Sequence, residues 1–244
     1  MMSSSSSADI PRSDGEPPIV EHHLTVKRTA RYCTLGDPSA SPTEVWIVCH
    51  GFAQLARAFI EEFRAIASAN RLIVAPEALN RFYLNREGGR AGANARVGAT
   101  WMTREDRLAE IDDYVRYLDD LHREIVERHR GQNVRVTALG FSQGTATVAR
   151  WLAHGATKLD RVVLWAGLLP PEIDPLGPHR ERLASADLIL VHGTRDEMLA
   201  QQQPRAEQER LEKAGIRARV LDFDGGHRMD RDTLARLAGD RPSG

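Results

Sequence analysis

The chain has 244 residues and 27.2 kDa, enough for one α/β domain with a sizeable core. Its formal net charge of −1 and pI near 6.8 give no bulk attraction toward nucleic acid or anionic membranes. No apolar run approaches the roughly 18 residues that a membrane span needs, and the two cysteines, Cys33 and Cys49, form no disulfide framework, so a reducing, cytoplasmic location is expected.

Residues 1–20 hold a serine run, acidic residues, glycine and prolines, without the basic and apolar regions of a secretory signal, and are expected to be a disordered tail. Residues 21–244 then form a single α/β domain. His22 and His23 are adjacent, so on a strand they face opposite ways, and no Cys or His cluster surrounds them; no metal site is expected. Residues 22–35 read as an edge strand or hairpin, 45–49 as a buried strand, 56–70 as a helix and 71–75 as the next strand. A long polar connection over 78–100 precedes a strong helix over about 104–129. From residue 134 strands and helices alternate to the C-terminus, which demands a mostly parallel central sheet with helices on both faces.

The most informative stretch is Gly140-Phe141-Ser142-Gln143-Gly144, placed between the β-branched run at 134–139 and an amphipathic helical run at 145–152. A serine there sits in a tight strand-to-helix turn, and the two glycines let strand and helix approach closely. Serine is a poor nucleophile without a base, and His227, after the last strand and the pair Gly225-Gly226, is the candidate. The base needs an acid beyond another strand end to fix its tautomer; Asp196 fits, whereas Asp222 and Asp224 lie too close in sequence to His227. Two backbone amides are placed to receive a developing oxyanion, those of Phe52 after the first core strand and of Gln143 after the serine.

With these motifs in hand, the chain resembles the phospholipase/carboxylesterase branch of the α/β-hydrolases, to which the acyl-protein thioesterases belong. The resemblance runs from about residue 45 to the C-terminus. It rests on His50-Gly51-Phe52, Trp101, Gly140-Phe141-Ser142-Gln143-Gly144, Gly167-Leu168-Leu169-Pro170, His192-Gly193-Thr194-Arg195-Asp196 and Gly226-His227. It implies triad roles for Ser142, Asp196 and His227 and oxyanion-hole roles for the amides of Phe52 and Gln143. Two motifs depart from it: Ala53-Gln54 stands where such enzymes often carry Gly-Asp, and Glu197-Met198-Leu199-Ala200 stands where Val-Pro often follows the acid.

The 79–101 connection carries Arg81, Arg86, Arg90 and Arg96 among Phe82 and Tyr83, and its arginines read as a solvated face. Trp101, Phe82, Leu168 and Leu169 are the candidates for a substrate pocket. The resulting expectation is a cofactor-independent serine hydrolase with the α/β-hydrolase fold, cleaving carboxylic esters of small molecules through an acyl-enzyme. Thioester or lysophospholipid hydrolysis by the same residues is the related alternative. A non-catalytic ligand-binding module of the same fold is the alternative from another class. Substrate identity and oligomeric state are not legible in the residues.

Overall fold

The computed structural model describes residues 17–37, 39, 41–84, 92, 94–129, 133–199 and 203–240. The disordered-tail expectation for 1–20 falls mostly outside them. The apolar runs form β2 (Glu44–Cys49), β3 (Arg71–Pro76), β6 (Arg135–Phe141), β7 (Arg161–Trp165) and β8 (Asp187–Gly193), each buried along nearly its whole length, as parallel strands covered on both faces must be. With β1 (Tyr32–Leu35) and β9 (Ala218–Phe223) they make a seven-stranded sheet in the order β1-β3-β2-β6-β7-β8-β9. Only the edge strand β1 is antiparallel, pairing Tyr32 with Pro76 through Leu35 with Ile73.

Alternation along β2 divides the core. Val45, Ile47 and Cys49 face the layer of α2 (Arg107–Glu127), α3 (Gln143–His154), α4 (Arg180–Ala184) and α5 (Pro204–Lys213), where Tyr114, Leu118, Trp151, Leu183 and Leu211 are buried. Trp46 and Val48 face the opposite layer, built by α1 (Ala56–Phe59), the 3-10 segment Ile60–Ile66 and α6 (Arg231–Gly239). The expected parallel sheet with helices on both faces is therefore present.

Three expectations change. The strand foreseen over 22–35 is confined to β1, and residues 22–31 run without regular structure over the surface. The helix foreseen over 56–70 tightens after Phe59 into a 3-10 turn, which places Ile60, Phe63 and Ile66, three residues apart, on one buried face. The polar connection at 78–100 contains an antiparallel hairpin, β4 (Asn80–Tyr83) with β5 (Val97–Thr100), paired from Asn80↔Thr100 to Tyr83↔Val97. Its strands are short and carry little apolar alternation, which is why they read as loop.

Candidate active site

Strand β6 ends at Phe141 and α3 begins at Gln143, so the whole reversal falls on Ser142, whose φ of 54° and ψ of −116° lie outside the relaxed regions for a side-chain-bearing residue. Such a conformation costs on the order of 1–3 kcal/mol and persists only where its surroundings hold it. Here the Ser142 amide donates to Trp165 O at 2.9 Å, Thr145 N donates to Ser142 O at 2.9 Å, and the Thr145 hydroxyl contacts the carbonyls of Gly140 and Trp165 at 2.9 and 2.8 Å. The elbow has no room for side chains on either flank. A Cβ on Gly140 would lie 2.1 Å from Gly144 O, and one on Gly144 2.2 Å from Cys49 O.

The loops after β8 and β9 are laced together: Thr194 N donates to Phe223 O at 2.9 Å and Arg195 N to Gly225 O at 2.9 Å. This brings the acid and the histidine to the serine. His227 Nε2 lies 2.9 Å from Ser142 Oγ, and His227 Nδ1 lies 2.8 Å from Asp196 Oδ2. The Asp196 carboxylate is 1% exposed, and its other oxygen accepts the Met198 amide at 3.0 Å. A carboxylate only accepts hydrogen bonds, so Nδ1 carries the imidazole proton and Nε2 is left as acceptor toward the serine hydroxyl. The other acids are occupied elsewhere, Asp222 by Arg205 at 2.7 Å and exposed Asp224 by Arg195 at 3.1 Å.

The loop after β2 carries Phe52, whose amide meets no acceptor among the described residues. The buried His50 shapes this loop: Nδ1 donates to Gly51 O at 2.7 Å while Nε2 accepts the Ala78 amide at 3.1 Å. Burial lowers the His50 pKa, in keeping with a neutral ring that bridges two backbone groups. The Ala53-Gln54 departure is accommodated. Ala53 adopts a positive φ of 65°, and Gln54 Oε1 accepts the Gly51 amide at 2.8 Å. Strand β5 completes the support, with Ala53 N donating to Ala99 O at 2.9 Å and Ala99 N to Gln54 O at 3.2 Å. Gly98 permits this contact, since a Cβ there would come within 2.5 Å of Ala53 O. The second candidate amide, on Gln143, begins α3 and has no intrahelical acceptor.

The pocket candidates separate. Phe82 is half-buried and stacks on the exposed Phe52 ring, centroid to centroid 5.2 Å. Trp101 is 1% exposed; its indole lies in the core against His50 and Tyr114 and donates to His50 O at 2.9 Å, so it supports the loop from beneath and does not form an open wall. Leu168 is partly buried and Leu169 buried, both packed on the main core cluster. Arg81 is exposed, as expected, but also pairs with buried Glu77; Arg96 is exposed, and Arg86 and Arg90 lie outside the described residues, as does Ala200. The supporting residues Glu77 and Thr145 stand out through no motif in the sequence, and no motif assigns the supporting roles of the Gln54 and Gln143 side chains. Among the described residues no group of three or more His, Cys, Asp or Glu is placed to hold a metal, and no helix is long and apolar enough to cross a membrane.

A parallel sheet whose central strand ends in a strained serine, with histidine and aspartate delivered from the next strand ends, is the α/β-hydrolase architecture. The chain belongs to the phospholipase/carboxylesterase family, whose model matches residues 32–239, and it is an esterase-type hydrolase. Solved structures share the fold. Acyl-protein thioesterase 2 of Zea mays is 16% identical, with 86% of this chain and 97% of that one covered, at a TM-score of 0.65. A Mesorhizobium loti carboxylesterase is 18% identical, with 86% and 93% covered, at 0.65, and the Bacillus cereus carboxylesterase is 16% identical, with 86% and 92% covered, at 0.59. No curated protein matches the chain.

Proposed function

We propose that the protein cleaves carboxylic esters of small molecules through an acyl-enzyme formed on Ser142. His227 takes the Ser142 proton as Oγ attacks the carbonyl carbon, and the resulting oxyanion is received by the amides of Phe52 and Gln143. Collapse of the tetrahedral intermediate breaks the bond to the alcohol, which leaves with the proton from His227. Water, deprotonated by the same His227, then releases the acid and restores Ser142. Asp196 holds the His227 tautomer and stabilises the imidazolium. Phe82, stacked on the Phe52 ring, is the aromatic candidate for the substrate pocket, and Leu168 and Leu169, on the core cluster, are the further candidates.

The observation that carries this reading is the unbroken chain from Ser142 Oγ through His227 to buried Asp196, with contacts of 2.9 and 2.8 Å. Thioesters are cleaved by the same steps, and the thioesterase of similar fold keeps them in the substrate panel. The two cysteines are free, Cys49 fully buried, which suits a cytoplasmic protein.

A fluorophosphonate probe tests the assignment directly. The wild type should be labelled on Ser142, and Ser142→Ala should stay folded, escape labelling and lose on the order of 10⁶-fold in turnover. A folded Ser142→Ala enzyme with near-normal ester hydrolysis would overturn it.

A further inference from the structure

Directly after β3, the Glu77 side chain is 1% exposed, a costly place for a carboxylate unless it is fully paired. It is paired twice. Arg31, from the chain leading into β1, donates from Nε and Nη2 at 2.7 and 2.9 Å, and Arg81, on β4, donates from Nε at 2.6 Å. Burial pushes the Glu77 carboxyl up, but the hydrogen bonds from Arg31 and Arg81 outweigh it and hold the pKa below the usual range, so the group is ionised at neutral pH. The backbone is tied at the same point, with Glu77 N donating to Arg31 O at 3.1 Å and the Tyr117 hydroxyl to the same carbonyl at 3.1 Å.

Two physical routes run from this carboxylate to the Phe52 amide. The first passes through Arg81 into the hairpin. Arg81 pairs in register with Ala99, whose backbone bonds hold Ala53 and Gln54, and its neighbour Phe82 stacks on the Phe52 ring. The second passes along the chain to Ala78, whose amide fixes His50, and from the His50 ring to Gly51 O. Both end on the loop that presents the Phe52 N–H. In general an apolar side chain of similar size serves a buried site about as well as a paired anion, so what the charge adds here is geometry: the fork between two arginines sets the position of β4 relative to β3.

We propose that Glu77 is a positioning residue for the oxyanion loop, acting through Arg81 and the β4–β5 hairpin on one side and through Ala78 and His50 on the other. The proposal rests on the Phe52 amide receiving the oxyanion. It assigns Glu77 an effect on the transition state and little on ground-state binding, because a displaced donor weakens most when charge develops on the carbonyl oxygen.

The test uses the full chain, a short p-nitrophenyl ester and a fluorophosphonate probe, at a temperature below the unfolding transition of every variant. Glu77→Gln keeps the shape and removes the charge. It should lower kcat by roughly 10- to 100-fold, the scale of a donor misplaced by about 1 Å, with KM changed by less than about threefold and probe labelling slowed in parallel. A folded Glu77→Gln enzyme with wild-type kcat and labelling rate overturns the proposal. Should that variant not fold, Arg81→Gln cuts one arm and leaves Arg31 on Glu77. Its kcat should fall, and its effect should be non-additive with that of Phe82→Ala in a double-mutant cycle. Unchanged kcat, or strict additivity, also overturns it. Absence of Ser142 labelling in the wild type would instead defeat the nucleophile assignment, so the two failures are distinguishable.

Discussion

Gln143 Oε1 accepts the Trp101 amide at 3.1 Å, joining the helix that follows the nucleophile to the segment that follows β5. The same side chain donates to Thr100 Oγ1 at 2.8 Å and to Met102 O at 3.0 Å, while the Trp101 indole donates to His50 O. The residues 99–102 therefore gauge both candidate oxyanion amides: Ala99 holds the Phe52 loop, and Thr100 to Met102 hold Gln143.

Gln143→Ala removes this link but keeps the backbone amide. It should destabilise the protein by about 1–3 kcal/mol, because the Trp101 amide loses its acceptor in a partly buried site. Turnover should fall by roughly 10- to 100-fold through misplacement of the donor. Urea denaturation and steady-state kinetics on one ester check both, and unchanged kcat would show that the side chain serves stability alone.

Asp196→Asn keeps a carbonyl for the Met198 amide but places an N–H donor opposite His227 Nδ1, which selects the wrong tautomer. Turnover should fall by about 10⁴-fold with the fold intact. Asp224→Asn alters only an exposed pair with Arg195 and should change turnover by less than about tenfold. Exchange of these two outcomes would move the acid role to Asp224.

Ala53→Gly relieves a left-handed conformation that costs an L-residue about 1–2 kcal/mol, against about 0.4–1 kcal/mol of added freedom in the unfolded chain. The variant should be more stable by up to about 1.6 kcal/mol, read as a higher urea midpoint at constant slope. A clear loss of stability would mean that the Ala53 methyl contributes packing that outweighs the strain.

Glu77 also predicts an acid limb. Its folded pKa is depressed by the two arginines, so its ionisation contributes stability that is fully present above the unfolded carboxylate value of about 4.3 and is lost as pH falls through the folded value. The stability gap between wild type and Glu77→Gln, measured by denaturation at pH 7 and again near pH 3, should therefore shrink on acidification. Asp119, Glu172 and Asp230 are depressed as well but are common to both proteins and cancel in the difference. A gap that is constant with pH would refute the charge pairing.

The sheet and the serine, histidine and aspartate cluster were legible because each rests on a local pattern. Continuous apolar runs mark β2, β3 and β6 to β8; Ser142 and Asp196 follow such runs, while His227 follows the mixed edge strand β9 and the pair Gly225-Gly226. The supporting shell was not legible. Glu77 and the Gln143 side chain become informative only when partners distant in sequence close on them, as Arg31 does on Glu77 and Trp101 on Gln143. Trp101 was expected at the pocket because aromatic residues line pockets as readily as cores, and only the fold decides between the two. The β4–β5 hairpin is not legible because its strands, four residues each, carry little apolar alternation.

The topology also dictates an order of assembly. Strand β2 lies between β3, made soon after it, and β6, made only after the hairpin and α2, with register from Glu44↔Arg135 to Cys49↔Gly140. Until β6 arrives, one whole edge of β2 has no hydrogen-bond partner, and Val45 and Ile47 lack the neighbours that bury them completely. If β2 and β3 pair before β6 is made, their open edge stays unpaired through the synthesis of α2, an exposure of the kind that invites aggregation. When β6 docks, the loop bearing Phe52 and the turn bearing Ser142 are brought together, and the site is complete only when β8 and β9 add Asp196 and His227 beside them.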